Sequence, residues 1–246
     1  MACEVSAERV VAARAGEQTQ ALEAVHSQAL DAGAVTPGLQ HANIAAREAL
    51  VTALRESLAP VAGRSRDITL IIPDASTRIL LLDFDTLPEK AQDADAVVRF
   101  RLKKSLPFDV DASSVSFDRQ TADEGIRVVA AVTPKSVLEE YESAVREAGY
   151  NPGAVLPSMI AALGVVDASR PTMVIKVEPT RSKGMVLLIS TTTKPIRALN
   201  SRVQNRRQRN PIKAEMTGEK NLTPKSLSPH SAVPMNIVKA TNGGLL

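Results

Sequence analysis

The sequence is poor in aromatic residues and in cysteine. Aromatic residues make up 2% of the 246 residues, tryptophan is missing, and all six aromatics lie between Phe84 and Tyr150. The single cysteine, Cys3, excludes a disulfide scaffold and a zinc site built on cysteines, and it is typical of a reducing compartment. The clustering of the aromatics predicts that the best-packed core lies in the middle of the chain.

Long hydrophobic runs are also missing. No stretch approaches the ~18 consecutive apolar residues of a transmembrane helix. The N-terminus, MACEVSAERVVAARAG, has no basic region followed by a long apolar run, so it does not indicate a secretory signal. His26, His41 and His230 lack metal-ligand spacing, and no Ser-His-Asp or Cys-His arrangement indicates catalysis. We therefore expect a cytoplasmic protein with neither a metal site nor a catalytic site.

Acidic residues are scarce in the last part of the chain. Residues 1–178 carry 18 Lys+Arg and 25 Asp+Glu, a net charge of −7, whereas residues 179–246 carry 12 and 2, a net charge of +10. Apart from MVLLIS (185–190), this segment has too little patterned apolar sequence to offset its ordering entropy, so it is predicted to be a basic, mostly disordered tail. Its stretch Arg202 to Arg209 suits phosphate groups of nucleic acid or anionic lipid, but it has no aromatics for base stacking.

Hydrophobic periodicity predicts an α/β protein with a mixed sheet. A helix is expected from an N-cap at Asn43 to Pro60, and another is expected to start at the cap Thr133-Pro134 and end at Gly149. The other predicted elements are a hairpin at 2–14, an extended segment at 21–29, strands at 68–74 and 77–84, a helix at 88–106, an antiparallel pair at 113–120 and 126–133, an apolar helix at 155–166 and a strand at 171–178.

The segment FRLKKSLPFDVD (Phe100 to Asp111) predicts a basic helix end followed by a Leu-Pro-Phe stop. Cations at a helix C-terminus are stabilising by roughly 0.3–1 kcal/mol each, which is one reason for them. The functional interpretation is a groove for an extended peptide. Its apolar wall would be Leu106, Pro107 and Phe108, with Arg101 or Lys104 as anchors.

Four segments together resemble a known family. They are ITLIIPD followed by TRILLLDFDTLP, then VVRFRLKKSLPFDVDASSVSFD, then IRVVAAVTPKSVLEEYESAVREAGYNPGAVLPSMIAAL, and finally ACEVSAERVVAARA. In order and spacing, over about residues 2–178, they resemble the PilM family, actin-like cytoplasmic proteins of type IV pilus assembly with relatives in type II secretion.

The resemblance implies an actin/FtsA-like first lobe with an inserted 1C-like subdomain, and a second lobe that is missing or incomplete. The implied domains are a core subdomain at 1–76 plus 151–170, the insertion at 77–150, the first strand of the second lobe at 171–178, and the tail at 179–246. The family's Gly-rich phosphate turn and Gly-Gly adenosine segment are not found in context; the only Gly-Gly pair is Gly243-Gly244. We expect a frame shift or truncation near Glu178.

The resemblance also implies a phosphate loop, which in the family resembles Asp-x-Gly. Glu4, Val5 and Ser6 occupy these positions; Glu4 could serve magnesium through water, but Ser6 lacks the conformational freedom of glycine, and an ordinary hairpin is the alternative. ATP with magnesium is therefore expected in intact relatives rather than in this chain.

The partner implied by the resemblance is an inner-membrane protein. In the family, the short cytoplasmic N-terminal peptide of PilN binds a groove on the first lobe. The expected function is a non-catalytic cytoplasmic scaffold or adaptor, associated with the inner membrane through such a partner. The alternatives are an actin-fold ATPase or sugar-kinase-like phosphotransferase, and a nucleic-acid or lipid binder acting through its basic tail.

Overall fold

The computed structural model describes residues 1–16, 21–121, 125–164, 172–175 and 186–189. The helices are α1 (Arg47–Leu58), α2 (Ala91–Lys103), α3 (Lys135–Glu147) and α4 (Ser158–Leu163). The strands are β1 (Ala2–Val5), β2 (Arg9–Ala15), β3 (Leu22–Ala29), β4 (Asp67–Ile72), β5 (Arg78–Phe84), β6 (Ser113–Thr121), β7 (Ile126–Pro134), β8 (Asn151–Pro157), β9 (Thr172–Ile175) and β10 (Val186–Ile189).

A five-stranded mixed sheet is built from both halves of the described chain. Its order is β3-β2-β1-β4-β8, with β1–β2 and β2–β3 antiparallel, and β1–β4 and β4–β8 parallel. The predicted hairpin and the following extended segment are both present, as β1, β2 and β3. Because β1, β4 and β8 run in the same direction, their carboxyl ends meet at one edge of the sheet.

A smaller antiparallel sheet has the order β5-β7-β6. It contains the predicted pair of strands, joined to the strand predicted at 77–84. Strands β9 and β10 form a separate antiparallel pair. The prediction of disorder beyond residue 178 otherwise falls outside the described residues.

The larger core lies between the five-stranded sheet and the helices α1 and α3. Alternating residues of each strand face the helices, for example Cys3 and Val5 of β1, and Leu70 and Ile72 of β4. The helices contribute apolar stripes at helical spacing, including the fully buried Leu54. Both helices therefore lie on the same face of this sheet.

The smaller core lies between α2 and one face of the three-stranded sheet. Ala94, Val98 and Leu102 of α2 are fully buried at i, i+4 and i+8, as the predicted stripe requires, and they belong to the same cluster as Val128 and Ala130 of β7. The domain boundaries expected from the resemblance stay predictions. Helix α3, placed by them in the insertion, packs in the larger core.

One predicted helix is wrong at its start. The run predicted as a helix from 155 to 166 begins as the end of β8, which pairs in parallel with β4; Ser158–Leu163 is helical as predicted, and residues 165 and 166 lie outside the described part of the chain. The error has a physical reason, since a short apolar run fits a buried strand as well as a buried helix. Pro157 lies at the junction and has extended backbone.

Two predicted caps are also wrong. Helix α1 begins at Arg47 with Ala46 at its N-cap position, and no side chain caps it; the N-cap of α3 is Pro134, again without a side-chain cap. Asn43 and Thr133, the residues expected to cap, are both buried and bond elsewhere. Polar side chains that can cap a helix can equally satisfy buried groups.

The buried thiol of Cys3 is predicted to resist alkylation in the folded protein. The side chain is fully buried, and burial, helped by the charge of Glu4, raises its pKa to about 12. At pH 8 the reactive thiolate is therefore a minute fraction. Iodoacetamide followed by mass spectrometry should modify Cys3 only after urea unfolding. Modification of the native protein at the rate of a free thiol would contradict this packing.

No helix among the described residues has the length and apolarity needed to span a bilayer.

Candidate functional site

The carboxyl edge of the parallel strands carries two carboxylates. Glu4 accepts a hydrogen bond from Ser158 Oγ at 2.5 Å, and Asp74, which follows β4, accepts one from the backbone N–H of Met159 at 2.7 Å. Both donors belong to the first turn of α4. The two carboxylates thus fasten the start of α4 to the sheet edge.

The turn between β1 and β2 lies where the phosphate loop is expected. Ser6 Oγ accepts from the N–H groups of Glu8 and Arg9 and donates to the carbonyl of Arg9, to which the Ser6 N–H also donates. Because these amides are used inside the turn, they are not directed at a phosphate. Among the described residues, no group of three or more His, Cys, Asp or Glu side chains could hold a metal ion. The turn does not fit ATP and magnesium, and ATP binding stays an expectation for intact relatives, implied by the resemblance.

The residues predicted to form a peptide groove lie in two places. Pro107 and Phe108 line an open cleft of about 310 Å³, which we call the Phe108 cleft; its other lining residues are Leu39, Gln40, His41 and Arg78. Leu106 and Phe108 also pack, half-buried, against the smaller core, as the predicted stop requires.

Arg101 and Lys104 are not among the residues lining that cleft. Both side chains are exposed at the end of α2, and the ammonium of Lys104 lies 4.5 Å from the ring centroid of Phe100. The predicted apolar wall is therefore present in part, without the predicted anchors beside it.

A second concavity, the inter-sheet groove, lies between the two sheets. It is partly open to solvent, mainly apolar and narrow, with a cavity volume of about 50 Å³. One wall is the face of the three-stranded sheet opposite α2, the other is the end of β8 with the start of α4, and Leu138 of α3 adds to the lining. Its residues are Ile72, Ser114, Ser116, Ala131, Thr133, Leu138, Val155, Leu156, Pro157 and Ile160.

Two outer strands contribute residues to the inter-sheet groove. Among the described strands, β6 is the outer strand of the three-stranded sheet and β8 is the outer strand of the five-stranded sheet. Edge strands present backbone N–H and C=O groups on which an extended peptide can pair, while neighbouring apolar pockets select its side chains.

A hydrogen bond between two threonine hydroxyl groups lies at the wall of the groove. Thr77, where the chain enters β5, and Thr133, where it leaves β7, share a buried hydrogen bond of 2.8 Å between their Oγ1 atoms. Since Thr133 also lines the groove, this bond holds the start of β5 against the end of β7 at the groove wall.

Thr133→Val is expected to destabilise the fold by about 1–2 kcal/mol, because it leaves the buried hydroxyl of Thr77 without this partner. Urea unfolding followed by circular dichroism measures the change. The double variant Thr77→Val/Thr133→Val should recover part of the loss, because no buried hydroxyl of this pair then remains unpaired. Additive losses in the double variant would contradict the pairing.

A buried polar cluster lies close to this pair of threonines. Asn43 Oδ1 accepts from Ser76 Oγ at 2.7 Å and from Tyr141 OH at 3.2 Å, and the backbone N–H groups of Asn43 and Ile44 donate to Glu140 Oε2. The cluster ties α3, the loop before α1 and the 3-10 turn before β5 together. It holds in place the loop that lines the Phe108 cleft.

Sequence reasoning missed most of the inter-sheet groove. Ser114, Ser116 and Ala131 lie at alternating positions of two correctly predicted strands, so the alternation indicated a second face. The sequence carried no signal for the opposite wall, because the apolar run that forms the end of β8 favours a helix equally.

Comparison with known proteins finds similarity only at the level of structure. No protein-family model matches the chain, and no curated protein matches it. A chain of the PilM-PilN type IV pilus biogenesis complex matches with a TM-score of 0.60 and 19% identity, over 71% of this chain and 53% of that chain. The cytoplasmic domain of EpsL, an inner-membrane component of the type II secretion system of Vibrio cholerae, matches with a TM-score of 0.46 and 12% identity, over 76% and 70%.

The first match bears on the fold. This chain spans about half the length of the matched chain of the PilM-PilN complex. Over the matched part, its five-stranded mixed sheet and helices have the actin-like α/β fold of PilM, which confirms the predicted fold class and the predicted resemblance.

Proposed function

We propose that this chain is a cytoplasmic scaffold of type IV pilus or type II secretion assembly. It binds the cytoplasmic N-terminal peptide of a PilN-like inner-membrane partner and is held at the membrane through it. The observation that carries the proposal is the open apolar groove between two edge strands, on a fold like that of a chain in a complex with PilN.

The groove suits an extended peptide better than a small molecule. The groove is lined by strand residues, from Ser114 to Ser116 on one wall and from Val155 to Pro157 on the other. A peptide lying between them can pair with a backbone edge and place alternate side chains against Leu138 and Ile160. Among the described residues that line it, none has an ionisable side chain, which favours an apolar peptide segment and is unsuited to acid–base chemistry.

The Phe108 cleft is the competing location for the same peptide. It contains two of the residues predicted from sequence and one cation, Arg78, which begins the outer strand β5; its other lining residues belong to a loop and a turn. The inter-sheet groove is lined by residues of two outer strands and the Phe108 cleft by one residue of a single outer strand, which favours the inter-sheet groove, and the experiments below separate the two locations.

The test is capture of the partner by the full chain. The immobilised protein would be exposed to detergent-solubilised inner membranes of the source cell, and the retained proteins identified by mass spectrometry. We expect a single-span protein with a short cytoplasmic N-terminus. A synthetic peptide of that N-terminus should release it, whereas the same residues in scrambled order should not.

The scrambled peptide is the control for charge and composition. If folded full chain retains no membrane protein, or if the N-terminal peptide fails to compete, the scaffold proposal is wrong.

A further inference from the structure

One face of α2 is apolar and basic and lies outside both concavities. This stripe, which we call the α2 stripe, consists of Ala96, Val97, Phe100, Arg101 and Lys104, spaced so that they share one side of the helix. The side chain of Phe100 is 62% exposed, among the most exposed of the large hydrophobic residues described. A single exposed aromatic ring is ordinary on a protein surface, so the ring matters here only together with the two cations beside it.

The cations of the stripe are not neutralised by carboxylates of the described residues. Lys104 lies over the Phe100 ring, and the side chain of Arg101 forms no ion pair within the part of the chain that the structure describes. The neighbouring charges are paired: Arg99 with Asp95 at 2.7 Å, and Lys103 with Asp111 at 2.6 Å. Asp93 is the acid on this side of the helix, about one turn nearer the N-terminus than Val97.

We propose that the α2 stripe contacts the surface of an anionic lipid bilayer. An amphipathic ring at headgroup depth, flanked by Lys and Arg that attract anionic lipid, is the chemistry by which helices lie on membranes. A convex helix side matches a flat surface, whereas the concavities among the described residues are elsewhere, at the inter-sheet groove and the Phe108 cleft. The proposal does not depend on peptide docking, because it uses different residues.

A single tryptophan can report this contact, because the chain has none of its own. Phe100→Trp in the full chain would be mixed with vesicles of phosphatidylglycerol and phosphatidylcholine in equal amounts, and separately with phosphatidylcholine alone. We expect the emission to shift to shorter wavelength, and to be quenched by brominated lipid, only with the anionic vesicles. The shift should be lost at about 1 M salt, where screening is strong.

The matched control is Leu81→Trp, at a site 54% exposed on the sheet face opposite α2. Its emission should not change. Adding Arg101→Glu and Lys104→Glu to Phe100→Trp should weaken vesicle partitioning of the stripe at least about tenfold, as expected for two reversed charges near an anionic surface. Circular dichroism of each variant checks that the fold is kept.

The readout separates the stripe from the basic residues 179–246. If the Phe100→Trp variant sediments with anionic vesicles but its emission stays that of an indole in water, the proposal is overturned. An equal shift in the Leu81→Trp variant would overturn it as well. An emission of the Phe100→Trp variant that is unchanged by vesicles but shifts on adding polyglutamate would also overturn it, and would make the stripe a surface for acidic protein.

Discussion

Replacing Asn43 by alanine is expected to lower the free energy of unfolding by about 3–5 kcal/mol, although it removes only a small polar side chain. Asn43 is fully buried, and its side-chain amide makes five hydrogen bonds. Three are to the backbone of its own loop, at Gly38 and His41; the others are to the hydroxyls of Ser76 and Tyr141. All of these groups lose a partner together.

Desolvation makes the effect large. Each buried donor or acceptor left unpaired costs roughly 1–3 kcal/mol, whereas a satisfied hydrogen bond contributes about 1 kcal/mol net. Water entering the space left by the side chain would relieve part of the cost, which sets the upper end of the expected range. Equilibrium urea unfolding, followed by circular dichroism, measures it.

The matched control for this prediction is Gln40→Ala in the same loop. Gln40 is exposed, so its truncation should change the free energy of unfolding by less than about 0.5 kcal/mol. A loss of under about 1 kcal/mol for Asn43→Ala would show that the cluster does not hold the loop.

Ser116→Glu is expected to weaken binding of the partner's N-terminal peptide at least about 100-fold, or roughly 3 kcal/mol. Ser116 lies opposite Ala131 on the groove-facing side of the smaller sheet, and it is half-buried. A carboxylate there would be covered by the bound peptide, away from water and without a cation among the described residues of the groove lining. Isothermal titration with the peptide identified by capture measures the loss.

Thr121→Glu provides the control on the same strand. Thr121 is exposed at the far end of β6, and its replacement introduces the same charge outside the groove, so binding should stay within about twofold, a difference of under about 0.5 kcal/mol. Phe108→Ala tests the apolar wall predicted from sequence. If this variant abolishes binding and Ser116→Glu does not, the peptide lies in the Phe108 cleft instead.

Much of the fold could be predicted from local patterns. The buried side of α2, with Ala94, Val98 and Leu102, and the alternation in β6 and β7 follow from residues near each other in sequence. The spacing of the apolar residues therefore identifies these elements. The segment Val155 to Pro157 could not be assigned in this way. Its apolar run suits either element, and only the pairing with β4, some 85 positions earlier, makes it a strand.

The candidate site could be predicted less well than the fold, because it too depends on contacts between segments distant in sequence. The Leu-Pro-Phe stop after α2 is where the sequence predicts it, but a helix end does not tell which surface its cations face. The inter-sheet groove exists because two strand edges distant in sequence lie side by side. Likewise, the role of Asn43 depends on Tyr141, which no local spacing connects to it.

Hydrogen exchange of the full chain, with and without the partner's N-terminal peptide, tests docking between the two sheets most directly. Peptide binding in the inter-sheet groove should slow exchange of backbone amides in β6 and β8, because the added strand covers their edges. Loops 36–43 and 105–111 should exchange unchanged. Protection confined to those loops, with β6 and β8 unaffected by bound peptide, would contradict the inter-sheet location.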